Sequence, residues 1–332
     1  MAARPTTRRR APRQEPSEQV RLVVKVAQMY HERKLNQSTI AAELGLSQAR
    51  VSRLLKLAAD QGIVRTTVHV PPGVFTALES ALEERYGASQ VVVVDTGGAR
   101  DDNIVLVLAP SAAAFLEGLV GSYEIIGISS WSETLLATVD TMHPLHQAST
   151  RYVVQVLGGV GRPGTQSHAT RLTERLAQVC HARPVFLLGP GIVGTKDARQ
   201  TLLRDPHFAE VIAYYDRLSM ILTGIGGLTT PSRLLRESAG VMSAEDHREL
   251  RARGAVGEIC FRFFDEEGSV VRSSLDHRVI GVSYEQMRRT PRTAAVAGGG
   301  RKFTAIRAAL RGRWVDTLVT DLSTAEHLLR DP

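Results

Sequence analysis

QSTIAAELGLSQARVSRLL, residues Gln37–Leu55, decides how the first part of this chain folds. Ile40, Ala41, Leu44, Leu46, Val51 and Leu54 carry the spacing by which two short helices pack across a tight turn. Ala41 is small enough for close helix approach, and Gly45 supplies the left-handed residue that a helix C-cap needs. Ser47 then stands at an N-cap position for a helix over Gln48–Asp60, while Asn36 or Ser38 caps the helix over Gln37–Leu44. Working outward, Val20, Val23, Val24, Ala27 and Tyr30 recur at helical spacing, with Ser17 or Glu18 near the start. Downstream, Gly62 ends the third helix, and Ile63–Val70 alternate like a strand of a wing. The pattern predicts a winged helix-turn-helix over residues 17–71.

The helix over Gln48–Asp60 offers Gln48, Ala49, Ser52 and Arg53 on its outer face, Arg50 on its flank and Ser47 at its start. A helix N-terminus laid in the major groove brings such side chains to base edges. Gln bonds adenine and Arg bonds guanine bidentately, whereas Thr39 and Lys56 are placed for phosphates, which position without reading sequence. The same apolar spacing would serve a plain three-helix bundle. Charge argues for more: residues 1–56 hold twelve Lys/Arg against four acids, a balance of +8, and the remainder holds 29 against 30, a balance of −1. A basic module beside a near-neutral domain suggests a polyanion partner for the module alone, and the coincidence of the Gly45 turn, the Ser47 cap and the Gln/Arg face makes that partner double-stranded DNA.

Residues 1–16, rich in Arg, Pro and Thr, read as a disordered basic arm. They precede no apolar core of a signal peptide, and no run of about 18 uncharged apolar residues follows anywhere, so neither secretion nor a membrane span is expected. The 332 residues hold only Cys180 and Cys260, both in apolar surroundings, which excludes a disulfide framework and fits the cytoplasm. No Cys/His cluster has metal-site spacing, and no cofactor is implied.

Pro71, Pro72 and Gly73 break the chain, and residues 72–87, with Phe75–Tyr86 helical, read as a linker helix. From residue 88 to 332 the rhythm is strand, glycine turn, helix. Strands are expected at Gln90–Val94, Ile125–Ser129, Tyr152–Leu157, Val185–Leu188, Met220–Gly224, Val279–Val282, Thr293–Ala297 and Thr317–Thr320, with amphipathic segments such as Phe303–Leu310 between them. The alternation predicts an α/β domain built on a parallel sheet flanked by helices. Ligands of such folds lie at the carboxyl ends of strands, here at Ser129–Thr134, Gly158–Gly161, Gly224–Gly227 and Gly298–Lys302.

This second part resembles the SorC family of sugar-binding transcriptional regulators. The resemblance is carried by IIGISSWSETLLATV (Ile125–Val139), VVQVLGGVG (Val153–Gly161), TGIGGL (Thr223–Leu228), GAVGEICFRFFDEEG (Gly254–Gly268), DHRVIGVS (Asp276–Ser283), AVAGGGRKFTAIRAAL (Ala295–Leu310) and LVTDLSTAEHLL (Leu318–Leu329). It implies a winged helix-turn-helix joined to a Rossmann-like parallel-sheet effector domain akin to sugar-phosphate isomerases, a homo-oligomer (dimer or tetramer), and a phosphorylated sugar or polyol as effector. On the matching loops, Ser130, Trp131, Ser132 and Thr134 would meet a hydroxylated or anionic group at a helix start. Gly158 and Gly159 would let backbone approach the ligand, Glu258 would accept from sugar hydroxyls, and Lys302 would supply a cation. Arg233 or Arg236 would add a second cation, and His168 follows the second glycine turn.

One departure from the family pattern is chemical. Trp131 is followed by Ser132 and Glu133, where a glycine and a small or basic residue are usual. A carboxylate beside a phosphate repels it, so either Glu133 points away or the ligand is less anionic, for example a free polyol. Two other functions fit parts of the chain: an isomerase-like enzyme with an added DNA-binding domain, and an architectural DNA binder without a ligand.

Overall fold

The apolar spacing around Gly45 produces a three-helix unit. A computed structural model describes residues 18–65, 71–101, 103–129, 131–159, 163–228 and 242–331, with backbone alone at 163–169, and the chain separates into two compact units at Val70/Pro71. The first unit contains α1 (Glu18–His31), α2 (Gln37–Leu44) and α3 (Gln48–Asp60). Val23, Val26, Met29, Ile40, Val51, Leu54 and Ala58 form its core, and each fully buried aliphatic side chain of this size stabilises by roughly 1.5–3 kcal/mol. Asn36 Oδ1 caps α2 through the Thr39 N–H at 2.9 Å, and Ser47 Oγ caps α3 through the Arg50 N–H at 3.3 Å. Gly45 sits at φ 62° with open space where a Cβ would be, so conformation rather than crowding is what this turn asks of it. After α3 the chain turns back, with the Val64 N–H on the Ala58 carbonyl. The rest of the expected wing, and the basic arm, lie outside the described residues.

The second unit opens with α4 (Thr76–Tyr86), β1 (Gln90–Val94), α5 (Ile104–Val120), β2 (Ile125–Ile128), α6 (Glu133–Thr141), β3 (Tyr152–Gln155), α7 (Pro163–Val179), β4 (Arg183–Val185), α8 (Lys196–Arg204) and α9 (Pro206–Ile212). It continues with β5 (Met220–Thr223), β6 (Gly226–Gly227), α10 (Ala244–Ala252), β7 (Gly257–Ile259), β8 (Arg262–Phe264), β9 (Val270–Val271), α11 (Tyr284–Arg289), β10 (Thr293–Val296), α12 (Phe303–Arg311), β11 (Thr317–Asp321) and α13 (Leu322–Arg330). Seven strands form one sheet in the order β1-β11-β10-β5-β2-β3-β4, every pair parallel. Apolar clusters cover both faces, one containing Val154, Ile221, Leu318 and Leu328, the other Leu108, Ile126, Leu135 and Leu176. This is why the strand sequences read as nearly continuous apolar runs.

From β2 the chain steps outward through β3 and β4, and from β5 it steps the other way through β10 and β11. The order therefore reverses between neighbours β2 and β5, and the crevice at their carboxyl ends is where such sheets bind ligands.

Three local expectations change. The segment read as a linker helix is docked on the sheet: Leu82 is buried, Tyr86 Oη donates to the Leu328 carbonyl at 3.0 Å, and Glu83 and Glu79 accept from the N–H groups of Val91 and Val93 in edge strand β1. Val279–Val282 is no strand; Val279 and Gly281 make single bridges to Ile192 and Leu157. Arg262 holds this segment, donating to the Val282 carbonyl at 3.0 Å and to Asp276 at 3.2 Å. A second, antiparallel sheet, β6-β7-β8-β9, is unexpected, because its strands are two or three residues long and too short to show a period.

Candidate functional site

In the first unit, Ser47, Gln48, Ala49, Arg50, Ser52, Arg53 and Lys56 are all exposed, on or beside one helix whose opposite face is core. Arg53 rests against its own helix, Nε donating to the Ala49 carbonyl at 3.3 Å. Ser47 spends an acceptor lone pair on its cap and keeps its hydroxyl proton. Thr39 differs from the expectation. Its hydroxyl donates to Asn36 Oδ1 at 2.9 Å, so the proton a phosphate would need already serves the cap of α2.

In the second unit the described loops after β2 and β5 meet at the reversal of strand order. Ser132 caps α6 through the Leu135 N–H at 3.2 Å, and a Cβ on Gly224 would lie 2.6 Å from Ser132 Oγ. The residue must be glycine for the two turns to touch. Gly226 pairs with Glu258 across β6 and β7, and a Cβ there would collide with Glu258 Oε1, so the carboxyl lies over bare backbone. Its other oxygen, Oε2, accepts from the Phe261 N–H at 2.9 Å.

That bond depends on the turn joining β7 to β8. Cys260 and Phe261 are its two central residues, both in the left-handed region at φ 52° and 56°, where neither side chain is at ease. Both are buried, and the Cys260 thiol is pushed up to about 12 by burial, which makes it a packing group and not a nucleophile. Cys180 is likewise buried and pushed up to about 11 by burial.

Lys302 precedes α12 and is half-buried. Burial holds its ammonium below the usual lysine range, opposed by the fields of Glu258 and Glu133. Burial pushes the Glu258 carboxyl up, against the Phe261 N–H and the Lys302 charge. Opposite charges thus face each other across a partly dry space without a direct ion pair among the described residues. Polar groups held this way hydrogen-bond strongly to whatever enters between them.

The other candidates divide. Trp131 is buried among Leu157, Phe261, Phe263 and Val279, and its Nε1 donates to the Gly158 carbonyl at 3.1 Å, so it ties two loops together and fills core. Thr134 is buried in the first turn of α6. Gly158 and Gly159 need correction. The space beside Gly158 is filled by the Pro190–Gly191 backbone, 2.7 Å from where a Cβ would be, and Gly159 exchanges hydrogen bonds with Gly189 and Gly191. The smallness of Gly158 serves chain packing, and the backbone N–H and carbonyl of Gly159 are taken by that same neighbouring segment. Ser130, Arg233 and Arg236 lie outside the described residues, as does the His168 side chain, whose backbone is in α7.

Three further residues belong to this region. Asp321 accepts from the Gly299 N–H at 2.8 Å, and Asp101 accepts from the N–H groups of Gly300 and Arg301 at 2.9 and 3.0 Å. Gln155 is buried at the end of β3, in register with Ile128 at the end of β2. Its Nε2 donates to the Leu157 carbonyl at 2.8 Å, and its Oε1 has no partner among the described residues. A lone amide in an otherwise apolar strand was the one available signal for it. Among the described residues no cluster of His, Cys, Asp and Glu could hold a metal, and no helix is long and apolar enough to cross a membrane.

Residues 71–330 match a family described as "putative sugar-binding domain". The chain is 29% identical to the sorbitol operon regulator of Klebsiella pneumoniae, over 95% of this chain and 100% of the relative. It is 30% identical to the deoxyribonucleoside regulator of Bacillus subtilis, over 95% of this chain and 99% of that protein. The crystal structure of the full-length sorbitol operon regulator superposes with a TM-score of 0.70, at 28% identity, over 95% of this chain and 100% of that one.

Proposed function

The chain belongs to the SorC family of sugar-binding transcriptional regulators, and on that premise we propose how its two units divide the work of a ligand-controlled, DNA-binding regulator. Gln48, Ala49, Ser52 and Arg53 read base edges in the major groove, while Ser47, Arg50 and Lys56 take phosphates. A small sugar or polyol binds at the reversal between β2 and β5, its hydroxyls held by Glu258 and Lys302 and by the cap of α6. The ester form that the resemblance implies would carry its phosphate to Lys302 and the turn before it. The observation that supports this best is the inward-facing, partly dry pair Glu258 and Lys302 beside the bare backbone of Gly224 and Gly226. The protein acts as a homo-oligomer in the cytoplasm, and ligand favours one arrangement of it over another, changing operator affinity.

The relatives' names point to a role other than catalysis. A second reading rests on the same pair, since a carboxyl pushed up and an ammonium pushed down also suit acid–base chemistry on a sugar phosphate. We favour binding without turnover. Product formation from sugar phosphates at enzyme concentrations would overturn that choice.

The test is affinity of the full-length protein for its own upstream DNA, with and without pentoses, hexoses, polyols and their phosphates. A ligand-dependent change in affinity is expected. Saturable, specific binding that no compound alters would leave a DNA binder without an effector.

A further inference from the structure

We infer that the effector site takes an uncharged polyol or free sugar in preference to its phosphate ester, because Asp101 already fills the anion-binding end of the turn that carries Lys302. This rests on the reading of the crevice as an effector site. A phosphate drawn to the start of α12 would seek the backbone N–H groups of Gly299, Gly300 and Arg301. Each is spent on a carboxylate of this chain. Gly299 donates to Asp321 Oδ2, Gly300 to Asp101 Oδ1, and Arg301 to Asp101 Oδ2, with Arg301 Nε adding a contact to the same oxygen at 3.0 Å.

The fit of Asp101 is built into the backbone. Gly299 lies at φ 94°, and a Cβ on it would stand 2.6 Å from Asp101 Oδ1. Any side chain at 299 would expel the carboxylate.

The charges around Lys302 argue the same way. Its ammonium feels three carboxylates, Glu258, Glu133 and Asp101, and one further cation, Arg301. A phosphate dianion entering there would replace no water-filled gap in a positive site; it would meet an excess of negative charge with the described N–H donors of the turn taken. A hydroxyl is treated differently by the same groups. It donates to Glu258 or Glu133 and accepts from Lys302 in one contact each. Gln155 Oε1, a buried acceptor beside the end of β2 without a partner among the described residues, likewise suits a neutral O–H and not a phosphate oxygen. The glutamate at position 133, anomalous beside a phosphate, is ordinary beside a polyol.

The experiment is calorimetric titration of the full-length protein with four- to six-carbon alditols and aldoses and with the terminal phosphate monoester of each. The wild type is compared with Asp101→Asn and with Glu133→Gln. Asp101→Asn keeps an oxygen for the amides while removing the charge. At least one free compound is expected to bind the wild type about ten-fold or more tightly than its ester, and each variant should shift that ratio toward the ester by about ten-fold. An ester that binds the wild type more tightly than its parent compound overturns the inference and leaves the effector reading standing. A ratio that neither variant moves also overturns it. If no compound binds in either form, the effector reading itself falls, and the inference with it.

Discussion

The two units put charge to opposite uses. In the first, Arg50, Arg53 and Lys56 stand exposed around one helix, and among the described residues none of the three is ion-paired to a carboxylate. In the second, Lys302 is half-buried among Glu258, Glu133 and Asp101, so its charge is met by carboxylates of the same fold. An exposed cation draws a long polyanion through many weak, additive contacts that salt screens. A cation set against carboxylates in a partly dry crevice selects a small molecule by how well it satisfies both signs. On the proposed division of labour, the difference puts specificity for DNA on a helix surface and specificity for the effector between distant loops.

The largest effect expected from breaking this contrast is at Lys302. Lys302→Met keeps most of the side-chain volume and removes the cation set among Glu258, Glu133 and Asp101. Truncating one partner of a buried charge pair costs on the order of 2–5 kcal/mol. Effector affinity should therefore fall by about 100-fold or more, while binding to operator DNA without ligand is retained. Calorimetry and fluorescence anisotropy separate the two. An unchanged effector affinity would remove Lys302 from the site.

Next in size is the recognition helix. Arg53→Ala should weaken binding to the specific operator by about 1–3 kcal/mol and leave effector affinity alone. Lys56→Ala should act on specific and unrelated DNA alike and lower the slope of log affinity against log salt by about one. If Arg53→Ala weakens both DNAs equally, Arg53 is a phosphate contact, and the base-reading face of α3 lies elsewhere.

These positions also mark how far the sequence could be read. Gly45, Ser47 and the apolar residues of α2 and α3 are near neighbours in the chain, so helical period and capping chemistry located them to the residue. The parallel strands were legible because burial on both faces makes them continuous apolar runs; β1 spans Gln90–Val94 as expected, and most others end a residue or two early. The crevice is another matter. Ser132 meets Gly224, and Gly226 meets Glu258, because the strand order reverses between β2 and β5, a fact of topology that no local window contains. Family resemblance supplied Glu258 and Lys302. It did not supply Asp101 or Asp321, whose carboxylates are defined by the backbone N–H groups they meet, nor the reason for Gly158, which is the Pro190 backbone pressed against it. Thr39 shows the opposite failure: a surface hydroxyl well placed for phosphate was already committed three residues away.

The smallest expected effect tests the internal balance of the crevice through pH. Glu258 is pushed up from its ordinary value of 4.5, with burial the leading cause and the Phe261 N–H and Lys302 opposing it. A carboxyl whose folded-state pKa is raised binds more protons in the folded chain than in the unfolded one between those two values. Stability then falls as pH rises through that window, and the full cost is present above it. Glu258→Gln removes the titration while keeping an oxygen for the Phe261 N–H. The variant should melt a few degrees above the wild type near pH 8, since for a unit of this size about 1 kcal/mol corresponds to roughly 2–4 °C. The gap should narrow as pH falls toward 4.5 and close below it, where the wild-type carboxyl is protonated in both states. Glu133 and Asp101 keep Lys302 compensated in the variant, which is why the gain is not cancelled by a stranded cation. A gap that stays constant with pH would mean that Glu258 is not held in a desolvated crevice. The contrast between a wet DNA face and a dry effector site would then lose its main support.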